Sequence, residues 1–394
     1  AWIWARTVIC PNPACGILTP LVRSWWLGKK KGKEAYVIPT VVDDAAAPGG
    51  RRVEFSVGYD PKQAPPKTSD GTMSGQKGGA CVACQASISA AEAHLQNDVP
   101  EAQKPAPALV AIVASAKRQR IYLPPSAIGT TVTKDARTAA IEIRQSDAGL
   151  NAQARGTFGG NAQGRRWGFF TFSDYFTDRQ LIALTTLSDL ISETREKALA
   201  DSLASGLPSG DRLENNGTGA EAYADAVATY LGMALSRTTD LNNSLVTWSN
   251  GRDQARNLFA RQAIPMAWDF VEVSPFAKAA GDISIATESQ AEALDNLPGQ
   301  RSIAAGEARQ ADAASRDYTG VLISTDPPYY DNIVYSDVSD FFYVWLRRSL
   351  RSVYPDLFGT VLVPKDEELV ANPYRKGGKE KAERFFEEGF EKVF

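Results

Sequence analysis

The chain opens on an alternating run, Trp2-Ile3-Trp4-Ala5-Arg6-Thr7-Val8-Ile9, whose period of two predicts a strand from the first residues. Shorter apolar runs, Leu109–Val113 and Ile121–Leu123, predict further strands. They lie in a stretch, 101–165, whose Pro, Ala, Gly and Asn content reads as small-domain β-structure passing into a linker. From Phe176 the period becomes helical. Thr177-Asp-Arg-Gln180 has the form of a capping box, and Leu181, Leu184, Leu187, Leu190 and Ile191 follow at helical spacing. A second helix is predicted over about 219–238 and a third near 251–262. Tyr318–Thr325 contains the apolar run Val321-Leu-Ile and predicts a parallel strand buried on both faces. A helix is predicted to open at about Ser336. Asp337 and Asp340 suit the dipole of its first turn, Val338, Phe341, Phe342 and Trp345 form its buried stripe, and Arg347, Arg348 and Arg351 face elsewhere.

Composition narrows the class. With 43% apolar residues in 394, full disorder is excluded, and the length suits two or three structural units. No run approaches the roughly 18 to 20 apolar residues that span a bilayer, and no secretory signal opens the chain. A soluble, cytoplasmic protein is expected. Ala1 in place of Met, and an end at Phe394 inside a helical pattern, predict an excerpt of a longer polypeptide. The net charge of -3 gives no global attraction to nucleic acid, so such binding must come from local basic patches.

Cys10, Cys15, Cys81 and Cys84 form two knuckles, Cys10-Pro-Asn-Pro-Ala-Cys15 and Cys81-Val-Ala-Cys84. Two tight turns that each deliver two thiolates are what a tetrahedral, structural zinc site requires, and four cysteines leave no open position for catalysis. Residues 44–79, rich in Pro, Gly and Lys, read as a hairpin plus an excursion between the knuckles. Two disulfides, or four unrelated thiols, are the alternatives; a reducing compartment disfavours the first. Trp25-Trp26 followed by Lys29, Lys30, Lys31 and Lys33 makes a basic tip beside aromatics, suited either to phosphate and base contact or to plain solvation. His94, the only histidine, reads as a surface helix residue, so histidine-based catalysis is not expected. Phe158-Gly159-Gly160 lacks the flanking strand and helix of a nucleotide loop.

Asp326-Pro327-Pro328-Tyr329 follows the predicted terminal strand, where open α/β sheets bind ligands. An exocyclic amino group on a base is a poor nucleophile because its lone pair is delocalised. A carboxylate, Asp326, and a carbonyl, that of Pro327, can hold its two N–H groups so that the lone pair turns toward an incoming methyl. Consecutive prolines stiffen the loop and remove competing donors. Tyr329 can stack on a base rotated out of the duplex, and Tyr330, Asp331 and Asn332 can line its pocket.

This tetrapeptide is similar to motif IV of the S-adenosylmethionine-dependent amino-methyltransferases. Its context, Thr325-Asp-Pro-Pro-Tyr-Tyr-Asp-Asn332 and Tyr335-Ser-Asp-Val-Ser-Asp-Phe-Phe342, resembles the zinc-ribbon-containing adenine-specific DNA methylases of prokaryotes. Cys10-Pro-Asn-Pro-Ala-Cys15, Phe176–Leu181, Pro265-Met-Ala-Trp-Asp-Phe270 and Pro364-Lys-Asp-Glu-Glu-Leu369 agree with that family. The resemblance implies a partial Rossmann-like methyltransferase core of α/β class, a zinc-ribbon insert and a helical region. The units would be residues 1–135 for the ribbon, 136–170 for a linker, 171–300 for the helical region and 301–394 for the core segment bearing the motif. It implies methylation of adenine N6 in DNA, with S-adenosylmethionine as cofactor and structural Zn2+. By family analogy it also implies partners in restriction or phage defence. The glycine-rich cofactor loop is expected upstream of Ala1, and Ser274 stands where the family has Asn before Pro-Phe. Cytosine N4 is the close alternative target; a non-catalytic zinc-ribbon DNA-binding protein with a vestigial methyltransferase fold is the alternative of another class.

Overall fold

The computed structural model describes residues 1–66, 70–73, 78–97, 104–116, 119–127, 134–154, 167–260, 262–297 and 310–393. Its strands are β1 (Trp2–Ile9), β2 (Leu18–Leu21), β3 (Trp26–Gly28), β4 (Ala35–Asp43), β5 (Arg51–Gly58), β6 (Gly79–Ala80), β7 (Ser87–Ile88), β8 (Ala108–Ala116), β9 (Gln119–Leu123), β10 (Thr247–Ser249), β11 (Gln254–Arg256) and β12 (Asp269–Glu272). Its helices are α1 (Ala90–Asn97), α2 (Lys134–Ser146), α3 (Asp178–Ala204), α4 (Ala220–Thr239), α5 (Ile283–Asp295), α6 (Tyr335–Leu350), α7 (Pro373–Lys376) and α8 (Lys379–Val393). The fold is therefore mixed α/β, with small antiparallel sheets; no parallel pair occurs among the described residues.

β1 organises the amino-terminal part. Its first half, Trp2–Ala5, lies between β12 and β8, and β9 follows β8 at the edge. Its second half, Arg6–Ile9, leaves that sheet to pair with β2. One strand thus runs from the sheet core to Cys10. Both faces are covered, so the alternation seen in the sequence does not separate a wet face from a dry one: Ile3, Trp4, Ala5, Thr7 and Val8 are all buried. Arg6 ties this sheet to the neighbouring loops. It donates to the carbonyls of Ala267 and Ser244 at 3.0 and 2.9 Å, and its guanidinium lies over the rings of Phe169 and Phe270.

The helical layer begins at the predicted capping box. Gln180 N donates to Thr177 Oγ1 at 3.2 Å while Thr177 N donates to Gln180 Oε1 at 3.0 Å, satisfying two amides at the start of α3. Leu181, Leu184 and Ile191 are buried, each such side chain contributing about 1.5–3 kcal/mol, while Leu190 is exposed. α4 and α6 pack closely because Gly232 has no side chain; a Cβ there would meet Leu350 at 2.9 Å. From α6, Phe341, Val344 and Trp345 enter the same core as Tyr175 and Phe176.

Two expectations, for 318–325 and for 251–262, are corrected. Tyr318–Thr325 is not a strand, and Val321, Leu322 and Ile323 are 59%, 98% and 53% exposed. A strand buried on both faces needs neighbours for its backbone and layers over its side chains, and the described residues supply neither here. Residues 251–260 and 262, of the stretch 251–262 expected to be helical, are not in a helix. Residues 250–253 turn the chain between β10 and β11, with Asp253 in the left-handed region at φ 56° and its N–H donating to Ser249 O at 2.7 Å. The expected linker at 136–170 contains most of α2, which Arg144 ties to the start of α3 through the carbonyls of Ser173 and Phe176 and the carboxylate of Asp178.

Candidate metal centre and the Asp-Pro-Pro-Tyr loop

Each cysteine knuckle is a turn closed by its own backbone. In the first, Cys15 N and Gly16 N both donate to Asn12 O, at 2.8 and 3.1 Å, and Gly16 follows the second cysteine at φ 55°. In the other, Gln85 N donates to Cys81 O at 3.0 Å, and Gln85 takes the equivalent left-handed place at φ 60°. Short strands carry both turns: Cys10 N bonds Ile17 O, and Cys81 N bonds Ala86 O.

The knuckles face each other. Cys10 Sγ lies 3.6 Å from Cys84 Sγ, Cys15 Sγ lies 3.8 Å from Cys81 Sγ, and all four sulfurs fall within 4.8 Å of one another. A metal held tetrahedrally by thiolates at about 2.3 Å requires sulfurs about 3.8 Å apart, so the donor set fits zinc. The alternative of two disulfides does not fit, because that bond needs about 2.05 Å and all four thiols are free.

Neighbouring donors address the sulfurs. Thr19 Oγ1 donates to Cys81 Sγ at 3.2 Å, Arg51 Nη2 to Cys15 Sγ at 3.4 Å and Asn12 Nδ2 to Cys84 Sγ at 3.8 Å. Burial pushes the Cys10 thiol up to about 12. Burial also opposes ionisation of Cys81, but the Thr19 hydroxyl and the backbone amides of Cys84 and Ala83 outweigh it and bring that thiol down to about 6. The expected excursion takes part as well. Gly49, at φ 69°, presses its backbone on the first knuckle, where a Cβ would meet Cys15 O at 2.1 Å. Cysteine spacing alone does not reveal Thr19 and Arg51; they reach the sulfurs through β2 and β5.

The tip predicted to touch nucleic acid lies between β3 and β4. Trp25 and Trp26 are buried, so neither is the free stacking platform the sequence suggests. Lys30 pairs with Asp253 at 2.8 Å, the Lys29 ammonium sits over Trp26, and Lys31 and Lys33 are exposed. His94 lies on α1, half-buried, with its ring edge against Trp167.

Asp326-Pro-Pro-Tyr329 is an exposed turn. The Tyr329 hydroxyl donates to Asp326 Oδ1 at 2.9 Å, and this bond raises the phenol above its ordinary value. Tyr330 occupies the left-handed region at φ 56°, its N–H bonded to Pro328 O, its carbonyl accepting from Ala371 N at 3.0 Å and its ring edge on Phe386. Asn332 N closes the turn on Tyr329 O. Asp331 and Asn332 are exposed, and the described residues do not gather them with Tyr330 into an enclosed pocket.

Behind the loop, the first turn of α6 is held by charge. Asp337 pairs with Arg375 at 2.8 Å, Arg375 with Glu368 at 2.6 Å, and Glu368 accepts from Ser336 N at 2.9 Å. Asp340 pairs with Lys365 at 2.8 Å; burial raises its carboxyl although Lys365 opposes the shift. Pro364–Leu369 therefore braces the helix that follows the motif. Among the described residues no helix is long and apolar enough to cross a membrane. Comparison with protein-family models, with curated proteins and with solved structures finds no match for this chain.

Proposed function

We propose that this chain contributes the base-handling part of an S-adenosylmethionine-dependent DNA methyltransferase acting on adenine N6, within a Rossmann-like core that carries the cysteine module as a zinc ribbon. The observation that carries the reading is the Asp326 carboxylate, held in solvent beside two prolines and engaged, among the described residues, by a single exchangeable donor, Tyr329. An adenine amino group can replace that donor, giving one N–H to Asp326 and the other to the Pro327 carbonyl. The exchange trades one hydrogen bond for another, so it costs little, while the amino lone pair is turned out of the ring system. The released Tyr329 ring stacks on the flipped base. Pro327 and Pro328 offer no N–H to compete for the carboxylate. Tyr330, Asp331 and Asn332 border the base, and the excess proton leaves to solvent beside exposed Asp326.

S-adenosylmethionine would supply the methyl group. The described residues include no glycine-rich turn following a strand that would hold it, and Phe158-Gly159-Gly160 lies outside them, so no residue of this chain is assigned to its binding. Zinc would cross-link the two knuckles and take no part in the reaction. DNA is the partner of this reading, the cytoplasm its place, and restriction or defence proteins its associates by family analogy.

One observation favours a second reading, the non-catalytic DNA-binding protein with a vestigial fold: Val321–Ile323 stands exposed instead of forming the strand that should present the motif. Asp326→Ala separates the two. On the catalytic reading it abolishes methyl transfer by the complete polypeptide and leaves DNA affinity unchanged, because the carboxylate faces an amino group and not phosphate. Unchanged transfer would overturn the role of Asp326, and no transfer by the unaltered protein would favour the second reading.

A further inference from the structure

The basic tip does not stand alone. Lys29 N donates to Asn250 O at 2.9 Å, Lys30 Nζ to Arg252 O at 3.2 Å, and Lys30 also pairs with Asp253. These bonds dock the tip on the β10–β11 hairpin and bring exposed Arg252 and Arg256 beside Lys31 and Lys33. Lys31, Lys33 and Arg252 have no ion-pair partner among the described residues. Of the neighbouring carboxylates, Asp253 pairs with Lys30 and Asp269 with Arg23 at 2.9 Å, while Glu34, next to Lys33, has no ion-pair partner among the described residues. On a chain of net charge -3, this is a local cationic face.

Below the rim lies a cleft of 190 Å³ between β3 and the hairpin. Trp4, Trp26 and Trp248 line it, together with the polar side chains of Ser24, Asn250 and Arg256. The volume is below the roughly 300 Å³ at which drug-sized sites begin, which suits a single ring system. Trp248 is fixed by its indole N–H on Leu27 O at 2.6 Å. Trp4 is 8% exposed, and its ring lies under the Arg179 guanidinium, so it closes the floor of the cleft and offers no open face.

We propose that this cleft and its rim form a single-stranded nucleic-acid site, with one unstacked base in the cleft against half-buried Trp248 and the flanking phosphates on Lys31, Lys33 and Arg252. A duplex keeps its bases stacked and cannot fill the cleft, whereas a single strand can place a base there and run its backbone along the rim. The site involves neither Asp326 nor the cysteines, so it stands or falls separately from the methyltransferase reading.

The test titrates the full chain with a short oligothymidylate, an abasic oligomer of equal phosphate number and the matching duplex, following tryptophan fluorescence and salt dependence. The expected result is quenching by oligothymidylate and affinity about tenfold above the abasic oligomer, the worth of one stacked base. Lys31→Ala/Lys33→Ala/Arg252→Ala, all at exposed positions, should lower the slope of log affinity against log salt by about 2. Arg256→Ala should reduce the preference for oligothymidylate over the abasic oligomer. Equal binding of the abasic oligomer without quenching would overturn the base cleft, tighter binding of duplex would overturn the single-strand assignment, and no binding would overturn both. Asp326→Ala should leave every one of these values unchanged, so a failure of methyl transfer cannot be mistaken for a failure here.

Discussion

The Tyr329 hydroxyl donates to the Asp326 carboxylate at 2.9 Å, so the two side chains proposed to act on a base engage each other in its absence. The bond is exposed and local, and it holds the carboxylate without neutralising it. If the phenol only marks the place of the amino group, its oxygen is dispensable and its ring is not.

Tyr329→Phe is therefore predicted to keep methyl transfer, whereas Tyr329→Ala loses the stacking surface, about 1–3 kcal/mol or roughly 5- to 150-fold in base-dependent affinity. Steady-state transfer and binding to DNA carrying an unpaired adenine check this. Equal loss in both variants would show that the hydroxyl is needed in its own right.

The cysteine module should depend on metal. One zinc per chain is expected by elemental analysis, and cobalt in its place should give the spectrum of a tetrahedral four-thiolate site. Cys81→Ser or chelation should release the metal and lower the thermal midpoint, since Val8, Ile17, Leu21 and Ile88 share one buried cluster with Cys10, Cys15 and Cys81. A metal-free chain with unchanged melting would contradict the assignment.

Asp225 is fully buried between Arg195 at 2.6 Å and Arg212 at 2.9 Å. Burial alone would raise its carboxyl, but the two guanidiniums outweigh it and hold it below 3.8. A depressed carboxyl stabilises the fold fully above its unfolded value and loses that contribution as pH falls through the folded value. Asp225→Ala should cost about 3–5 kcal/mol at neutral pH, because two arginines lose their shared partner. The same variant should show a flatter acid limb in denaturant melts.

Gly232→Ala tests the approach of α4 to α6. Helix propensity favours alanine by about 1 kcal/mol, yet the added Cβ meets Leu350 at 2.9 Å, and overpacking costs about 1–3 kcal/mol. Net destabilisation is expected, relieved when Leu350 is also cut to Ala, and additive losses in a double-mutant cycle would refute the contact.

Features whose signal is local were legible. The capping box at Thr177 and Gln180, the stripe of Phe341 and Trp345, and the knuckle turns all lie within a few residues, and all are found in the structure. Features decided by distant partners were not. Val321–Ile323 reads as a strand because it is apolar, but pairing depends on neighbours the run does not contain. The β10–β11 hairpin reads as helix because its two strands are three residues each and only their mutual pairing across residues 250–253 sets them apart. Trp26 reads as a surface platform, and only the fold shows it packed edge-on against Tyr36. Thr19 and Arg51, the donors to the sulfurs, carry no spacing signal at all.

The central claim is methyl transfer to adenine. Incubating the complete polypeptide with labelled S-adenosylmethionine and DNA, then resolving the digested nucleosides by mass, tests it most directly. The account predicts label in N6-methyladenine, abolished by Asp326→Ala. Label confined to N4-methylcytosine, or no label in DNA when the cofactor is bound, would contradict it.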